Sequence, residues 1–339
     1  MLLKRTAEGL ALGALLPALG GTAGAAGRVD QSNRGRQSPP PARAQPGYPD
    51  IADVSHADPA IAAFFAAKST KDVARTMAHF SPDLLAYADA TTRFYNPSFD
   101  SMKSAFARIM PNWGAGLSYL MRIIGGPESA LVEFTDTPEL FGKDIRILAS
   151  VDLREGLIVR WIDHWDSGGW DDAAFAKSEN PPVRFPASLR EQEVGRNASS
   201  KLQAIVQRLH HRLAGGDAPG VAELLSYDVI VEDMAMNARV VGRPSAQDYL
   251  SRTSRTAPWG WSSRLRHTFG GDLGGAYEWL AGEAGQATIG ITALELDAAG
   301  RISRLTSTYD GRTLEPSMRT KLAALSVGTW PRTSARSPS

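Results

Sequence analysis

The sequence predicts an α+β protein built as two tandem copies of one domain, and three observations carry that prediction. Tyr87-Ala88-Asp89 answers to Val231-Glu232-Asp233, Gly156 to Gly300 and Asp166 to Asp310, each anchor 144 positions from its partner. Three ungapped anchors at one period are the mark of a duplicated domain. Each half then runs helix, helix, strand, helix and a series of strands joined by short loops, an order that implies an antiparallel sheet with helices beside it. Finally, 339 residues of which 43% are hydrophobic and 22% charged leave room for two cores of ordinary size.

Taken in order, the chain opens on Lys4-Arg5, an apolar stretch from Gly9 to Gly21, and the small residues Ala23-Gly24-Ala25. This reads as a signal peptide over 1–26, and hence as a periplasmic or secreted protein. It looks like a twin-arginine signal with Lys4 in place of the first arginine. The apolar stretch is too short and too rich in Gly and Ala to span a bilayer, so no stable membrane anchor is expected. The absence of cysteine excludes a disulfide framework and a lipoprotein anchor. Residues 27–54, with Ser38-Pro39-Pro40-Pro41, read as a disordered spacer.

The first domain is expected over 55–176. Asp58-Pro59 starts a helix through Ile61-Ala62-Ala63-Phe64-Phe65, and a second helix follows Ser69-Thr70-Lys71-Asp72 and stops near Ser81-Pro82. A strand follows from Leu84 to Thr92, then a helix from Ser101 to Met110, then strands at 116–124, 129–136, 144–153 and 157–166. Residues 177–198, with Asn180-Pro181-Pro182, read as a linker. The second domain, 199–316, repeats the order: helices at 200–214 and 217–225, a strand at 227–235, a helix from Pro244, and strands through 263–310. The tail 317–339 reads as mobile.

Strand alternation sorts the candidate site residues. Val159, Trp161, Asp163 and Trp165 share one face of the last strand of the first copy. Ala130, Val132, Phe134 and Asp136 share one face of another, so each apolar face ends in a single Asp. A carboxylate on such a face is costly unless paired, hydrogen-bonded or protonated, and burial raises its pKa toward the range of general acid–base work. Two such acids could divide the roles of proton donor and acceptor. The plain alternative is a rim Asp that pairs with Arg146 or Arg160. Tyr87 and Asp89 face the same way on the first strand, where a phenol beside a carboxylate can hold a water or a substrate oxygen. In the second copy Tyr227, Val229, Val231 and Asp233 are expected on one face, and Ser307 stands where the first copy has Asp163. His164, with Ile162 and Asp166, falls on the opposite face, outside the pocket or at its edge. The six histidines show no metal spacing. A net charge of +1 gives no case for nucleic acid.

The element order, the acid late in the first strand and the Trp161-Ile162-Asp163-His164-Trp165-Asp166 run resemble the nuclear-transport-factor-2-like superfamily, and within it the SnoaL-like polyketide cyclases and limonene epoxide hydrolases. The resemblance covers about 55–176 and 199–316. It implies two cone-shaped domains, each a curved antiparallel sheet wrapped by helices around an apolar pocket. It also implies an intramolecular pseudo-dimer that further copies could join. Tyr87-Ala88-Asp89 matches the hydrolases' Tyr-x-Asn, and Phe134-Thr135-Asp136 matches their Arg-x-Asp with the Arg lost. Asp163 matches their water-activating Asp. On that mapping Asp163 is the base, Asp136 the acid, and Tyr87 with Asp89 holds the water. Val231-Glu232-Asp233 is similar to the base segment of ketosteroid isomerases in the same superfamily.

The expectation is therefore an exported acid–base enzyme, without cofactor or metal, acting on a hydrophobic polyketide- or terpenoid-like molecule. Its reaction would be epoxide opening, cyclisation or isomerisation. Asp163, Asp136, Asp89 and Tyr87 would be catalytic, and Trp161, Trp165, Phe134, Val132, Asp233 and Tyr309 would line the pocket. The alternatives are a non-catalytic carrier or sensor of an apolar ligand, and a structural tandem with collapsed pockets.

Overall fold

The computed structural model describes residues 59–181, 185–195, 197–260, 263–282 and 288–327. The expected signal peptide, the whole of the expected spacer 27–54 and the end of the tail lie outside them. In the first copy α1 (Pro59–Ser69) and α2 (Val73–Met77) precede β1 (Ala86–Asp89) and β2 (Phe94–Asn96). Then come α3 (Phe99–Ile109), β3 (Ser118–Gly125), β4 (Ser129–Asp136), α4 (Pro138–Phe141), β5 (Ile145–Arg154), β6 (Leu157–His164) and α5 (Asp172–Ser178). Local chemistry sets the helix starts. Asp72 accepts the Arg75 amide at 3.0 Å, and Ser98 with Ser101 forms a reciprocal capping box at α3.

The second copy opens on β7 (Asn197–Ala198), α6 (Ser200–Ala214), α7 (Ala218–Leu224), β8 (Leu225–Asp233), β9 (Ala238–Val241) and α8 (Arg243–Thr253). It continues through β10 (Ser263–Gly271), β11 (Gly274–Ala281), β12 (Thr288–Leu296), β13 (Ile302–Tyr309) and α9 (Pro316–Ser326). Among the described residues the sheets run β2-β1-β6-β5-β4-β3 and β7-β10-β11-β12-β13-β8-β9. The class is α+β, with one curved sheet and one helical layer in each copy.

Four expectations need correction. The sheets are not wholly antiparallel: β1 lies parallel to β6 and β8 parallel to β13, because the first strand of each copy returns beside its last after a long crossover. The segment from Leu84 to Thr92 holds only a short strand, since the chain turns at Arg93 (φ 56°) and pairs back as β2. Tyr227 does not share the inner face. An irregularity in the β8–β13 register leaves it exposed, while Val229 is buried. The first residues of the expected tail continue the second copy, because α9 seats Leu322 in its core. The segment between the copies is also packed in part, with Leu189 buried and its carbonyl accepting Arg160 Nε at 2.7 Å.

The faces of the two sheets turned away from their helices pack on each other. Ile124, Leu131 and Leu148 of the first copy meet Phe269, Ala276, Ile291 and Ala293 of the second. Charged residues cross this junction in related pairs. Arg122, opposite Glu133 and next to a strand bulge, reaches Glu295. His267, opposite Glu278 and next to the matching bulge, reaches Asp152 at 3.2 Å. Arg160 is fully buried between Asp152 at 3.2 Å and Glu278 at 2.7 Å. Arg146 bonds Glu232 at 2.5 Å. Arg146 and Arg160 therefore serve the junction and do not pair with the candidate acids. His164 is buried here too, with both ring nitrogens unpartnered, and burial pulls its pKa down to about 4.

Candidate functional site

The concave side of the first sheet is an aromatic enclosure. Phe64, Phe65, Phe80, Phe106, Phe134 and Trp161 are buried in one core with Tyr87. Their rings sit 5.0 Å apart for Phe64–Trp161 and 5.1 Å for Phe65–Phe134. Into this enclosure the parallel pairing of β1 with β6 brings the acids. It sets Asp89 beside Asp163 and Tyr87 beside Trp161, with the Tyr87 and Trp161 rings stacked at 6.3 Å and 9°.

Asp163 is buried and held from two sides. Trp161 Nε1, two residues back on the same face, donates to Oδ1 at 2.6 Å, and the Tyr87 hydroxyl donates to Oδ2 at 3.3 Å. Burial, reinforced by the charge of Asp89, pushes its pKa up to about 8, against the opposing pull of the Trp161 indole and Lys68. Tyr87 stays a neutral phenol, because burial and then the neighbouring acids push its pKa well above the ordinary value.

Asp89 closes the turn into β2 by accepting the Thr91 and Thr92 amides at 2.9 and 3.0 Å. It also receives Trp165 Nε1 at 3.0–3.1 Å. Burial raises its pKa, and these hydrogen bonds work against the rise. Asp136 closes β4, where Ser118 on the neighbouring strand donates to it and Lys68 Nζ lies 3.5 Å away. Asp136 and Asp163 keep separate hydrogen-bond partners. The charge of Asp136 acts on Asp163, but only as the least of the influences on it.

Lys68 is the residue that sequence reasoning missed. It ends α1, its side chain is 8% exposed, and its ammonium lies 5.1 Å from the Phe134 ring, 5.6 Å from Trp113 and 5.9 Å from Phe65. Contacts of this kind stabilise a desolvated cation. A signal existed, since Lys68 stands three, four and seven positions after Phe65, Phe64 and Ile61, on the apolar face of its helix. Its charge occupies the enclosure at the Phe134 end, where the resemblance had lost an arginine.

Of the expected lining residues, Val132, Phe134, Trp161 and Trp165 belong to this core, whereas Asp233 and Tyr309 belong to the second. There Asp233 accepts Trp259 Nε1 at 2.8 Å, the Tyr309 hydroxyl at 3.3 Å and the Met236 amide at 3.1 Å. Burial raises its pKa to about 6. Ser307, in the place of Asp163, shares a hydrogen bond with Thr292 at 2.9 Å, and Thr292 receives Trp279 Nε1 at 3.0 Å. Val231 fills the place of Tyr87, so the phenol–acid pair has become a chain of hydroxyls. Among the described residues no group of three or more His, Cys, Asp or Glu could hold a metal ion, and no helix is long and apolar enough to cross a membrane.

No family model matches the chain, and no curated relative does. Parts of it are similar to solved structures. One is an uncharacterized protein with a cystatin-like fold from Silicibacter pomeroyi DSS-3, at 16% identity over 38% of this chain and 85% of that one, TM-score 0.31. Another is an NTF-2 like protein of unknown function from Burkholderia xenovorans LB400, at 16% identity over 39% and 94%, TM-score 0.28. A steroid delta-isomerase from Pseudomonas aeruginosa matches at 16% identity over 39% and 93%, TM-score 0.31. Each match spans little more than a third of the chain.

Proposed function

We propose that the first copy is a cofactor-independent acid–base site for a hydrophobic small molecule of polyketide or terpenoid type, in a protein exported from the cytoplasm. Epoxide opening, cyclisation and isomerisation are the reaction classes that its groups suit. One observation carries this reading: Asp163 is buried behind aromatic rings and held by the Tyr87 hydroxyl and the Trp161 indole, a setting in which burial pushes its pKa up to about 8. An acid tuned in this way can donate a proton at neutral pH to an oxygen lodged in an apolar site. Asp136, which receives the Ser118 hydroxyl and faces Lys68 Nζ at 3.5 Å, is the partner we assign as acceptor. The surroundings thus favour the reverse of the assignment that the resemblance implies, with Asp163 as donor and Asp136 as base.

The close packing of the rings supports a second reading, in which the enclosure is a carrier site or a filled core and the acids only orient or stabilise. Turnover of a panel of apolar epoxides and enolisable cyclic ketones, measured beside Asp163→Asn, separates the two. Acid–base catalysis is expected to lose about 10²- to 10⁴-fold in the variant. Tight binding without turnover by the unmutated protein would replace the enzyme with a carrier, and neither binding nor turnover would leave a structural tandem.

A further inference from the structure

The junction between the copies is nearly symmetric, but one arginine breaks the symmetry. Arg312 stands 144 positions after Gly168, so the second copy sends a long cation across the junction where the first offers nothing in return. Its guanidinium donates through Nε to the Ser167 carbonyl at 3.1 Å and through Nη2 to the Trp170 carbonyl. Nη1 pairs with Asp172, and the group lies 5.2 Å from the Phe175 ring. Four points on one strap, 167–175, are therefore held by a single side chain from the other copy.

That strap closes the Asp89 end of the enclosure. Phe175 is buried in the core of the first copy and packs on Trp165 at 6.3 Å, and Trp170 packs on Trp165 at 5.5 Å. Trp165 in turn donates its indole hydrogen to Asp89, the neighbour whose charge acts on Asp163. We infer that the second copy completes the site of the first, with Arg312 as a positioning residue that holds the strap and, through Trp165, the hydrogen bond to Asp89. This gives a role to a copy in which Val231 and Ser307 stand in place of the Tyr87–Asp163 pair. The inference rests on the reading that the first enclosure is the working site.

Two readouts on the full chain, neither of which needs a substrate, test it in Arg312→Met. Amide exchange over 167–175 is expected to rise about tenfold as the strap opens locally. The titration of Asp89, followed at the Trp165 indole N–H by NMR, is expected to move upward as the indole slackens and burial acts less opposed. Asp163 and Tyr87 face the same carboxyl, so both experiments are repeated in Asp163→Asn to isolate the Asp89 step. Arg312→Lys keeps the charge but not the fork of donors, and it should show the same two changes at smaller amplitude if the Met variant does not fold. Asp172→Asn, which removes a partner 92% exposed, should change neither. Faster exchange with an unmoved Asp89 titration would reduce Arg312 to a structural clamp and overturn the proposal, as would no change in either. Absence of turnover in the unmutated protein would sink the acid–base reading and leave this coupling standing.

Discussion

Asp166 of the first copy accepts the Gly311 amide at 2.9 Å, and Asp310 of the second accepts the Ser167 amide at 3.4 Å and its hydroxyl at 2.8 Å. Donor and acceptor are each 144 positions from their counterparts, so the two copies exchange the same contact. Reciprocity of this kind defines an isologous interface, here joined within one chain. The final Asp of each repeated motif is thus a junction residue, which separates it from Asp163 three positions earlier. Asp166→Ala and Asp310→Ala are each expected to cost about 1–3 kcal/mol in urea unfolding, the cost of leaving buried donors unsatisfied. Because the two residues sit in one junction, the double variant should fall short of the sum. Strict additivity would argue against a shared contact.

The buried ion pair at the junction calls for a different pattern. Arg160→Met strands Glu278 in a dry site, where it is held to a pKa of about 2 chiefly by Arg160 against its burial. Removing one partner of a buried pair costs about 3–5 kcal/mol, whereas replacing both with apolar groups can be neutral. Arg160→Met with Glu278→Leu should therefore recover the share of the loss that comes from Glu278, while Asp152 keeps His267 and Asn197 as partners. A double variant as unstable as the single would show that losing Arg160 does not strand Glu278. The sign with pH follows from the lowered pKa. The Glu278 contribution is present above the unfolded value and disappears as pH falls toward about 2, so acid unfolding of the single variant should be the less steep.

Asp163 has the opposite sign. Its folded pKa of about 8 lies above the unfolded value, so the native state holds a proton that the unfolded chain releases. Its effect on stability is least adverse below the unfolded pKa, near 4, and grows more adverse as pH rises from there to about 8. Asp163→Asn, which cannot ionise, should gain on the unmutated protein across that window and hold a constant advantage above it. Denaturant midpoints at pH 5, 7 and 9 measure the trend. A flat difference would mean that the carboxyl is not buried in the protonated form.

Much of this was legible in the sequence, and the missing parts share a cause. The repeat, the helices and the faces carrying Asp163 and Asp136 follow from spacing and alternation, which are local. Pairing across the chain is not local. The parallel contact that sets Tyr87 beside Trp161 depends on a crossover of some 70 residues between them. The role of Arg160 was hidden because a charge on a strand normally marks a solvated face, and here that face meets a second sheet. Asp89 reads in the sequence as either a site acid or an exposed Asp, and its turn-closing bonds to Thr91 and Thr92 add a structural task that neither reading contains.

Lys68 tests how the enclosure holds its charges. Its ammonium faces Asp136 at 3.5 Å, and its charge also favours the ionised form of Asp163. Lys68→Met is expected to destabilise the protein by about 3–5 kcal/mol, because Asp136 is left buried with only the Ser118 hydroxyl. The same change should move the Asp163 titration upward, since a stabilising cation has gone. Adding Asp136→Asn should restore stability, and it should return the titration part of the way by removing a repelling charge. Trp161 gives the measurement, because its indole donates directly to Asp163 and its N–H resonance will follow the proton. If the Asp163 midpoint stays in place when Lys68 is lost, the ammonium and the two acids do not act as one site, and Asp136 belongs to the fold alone.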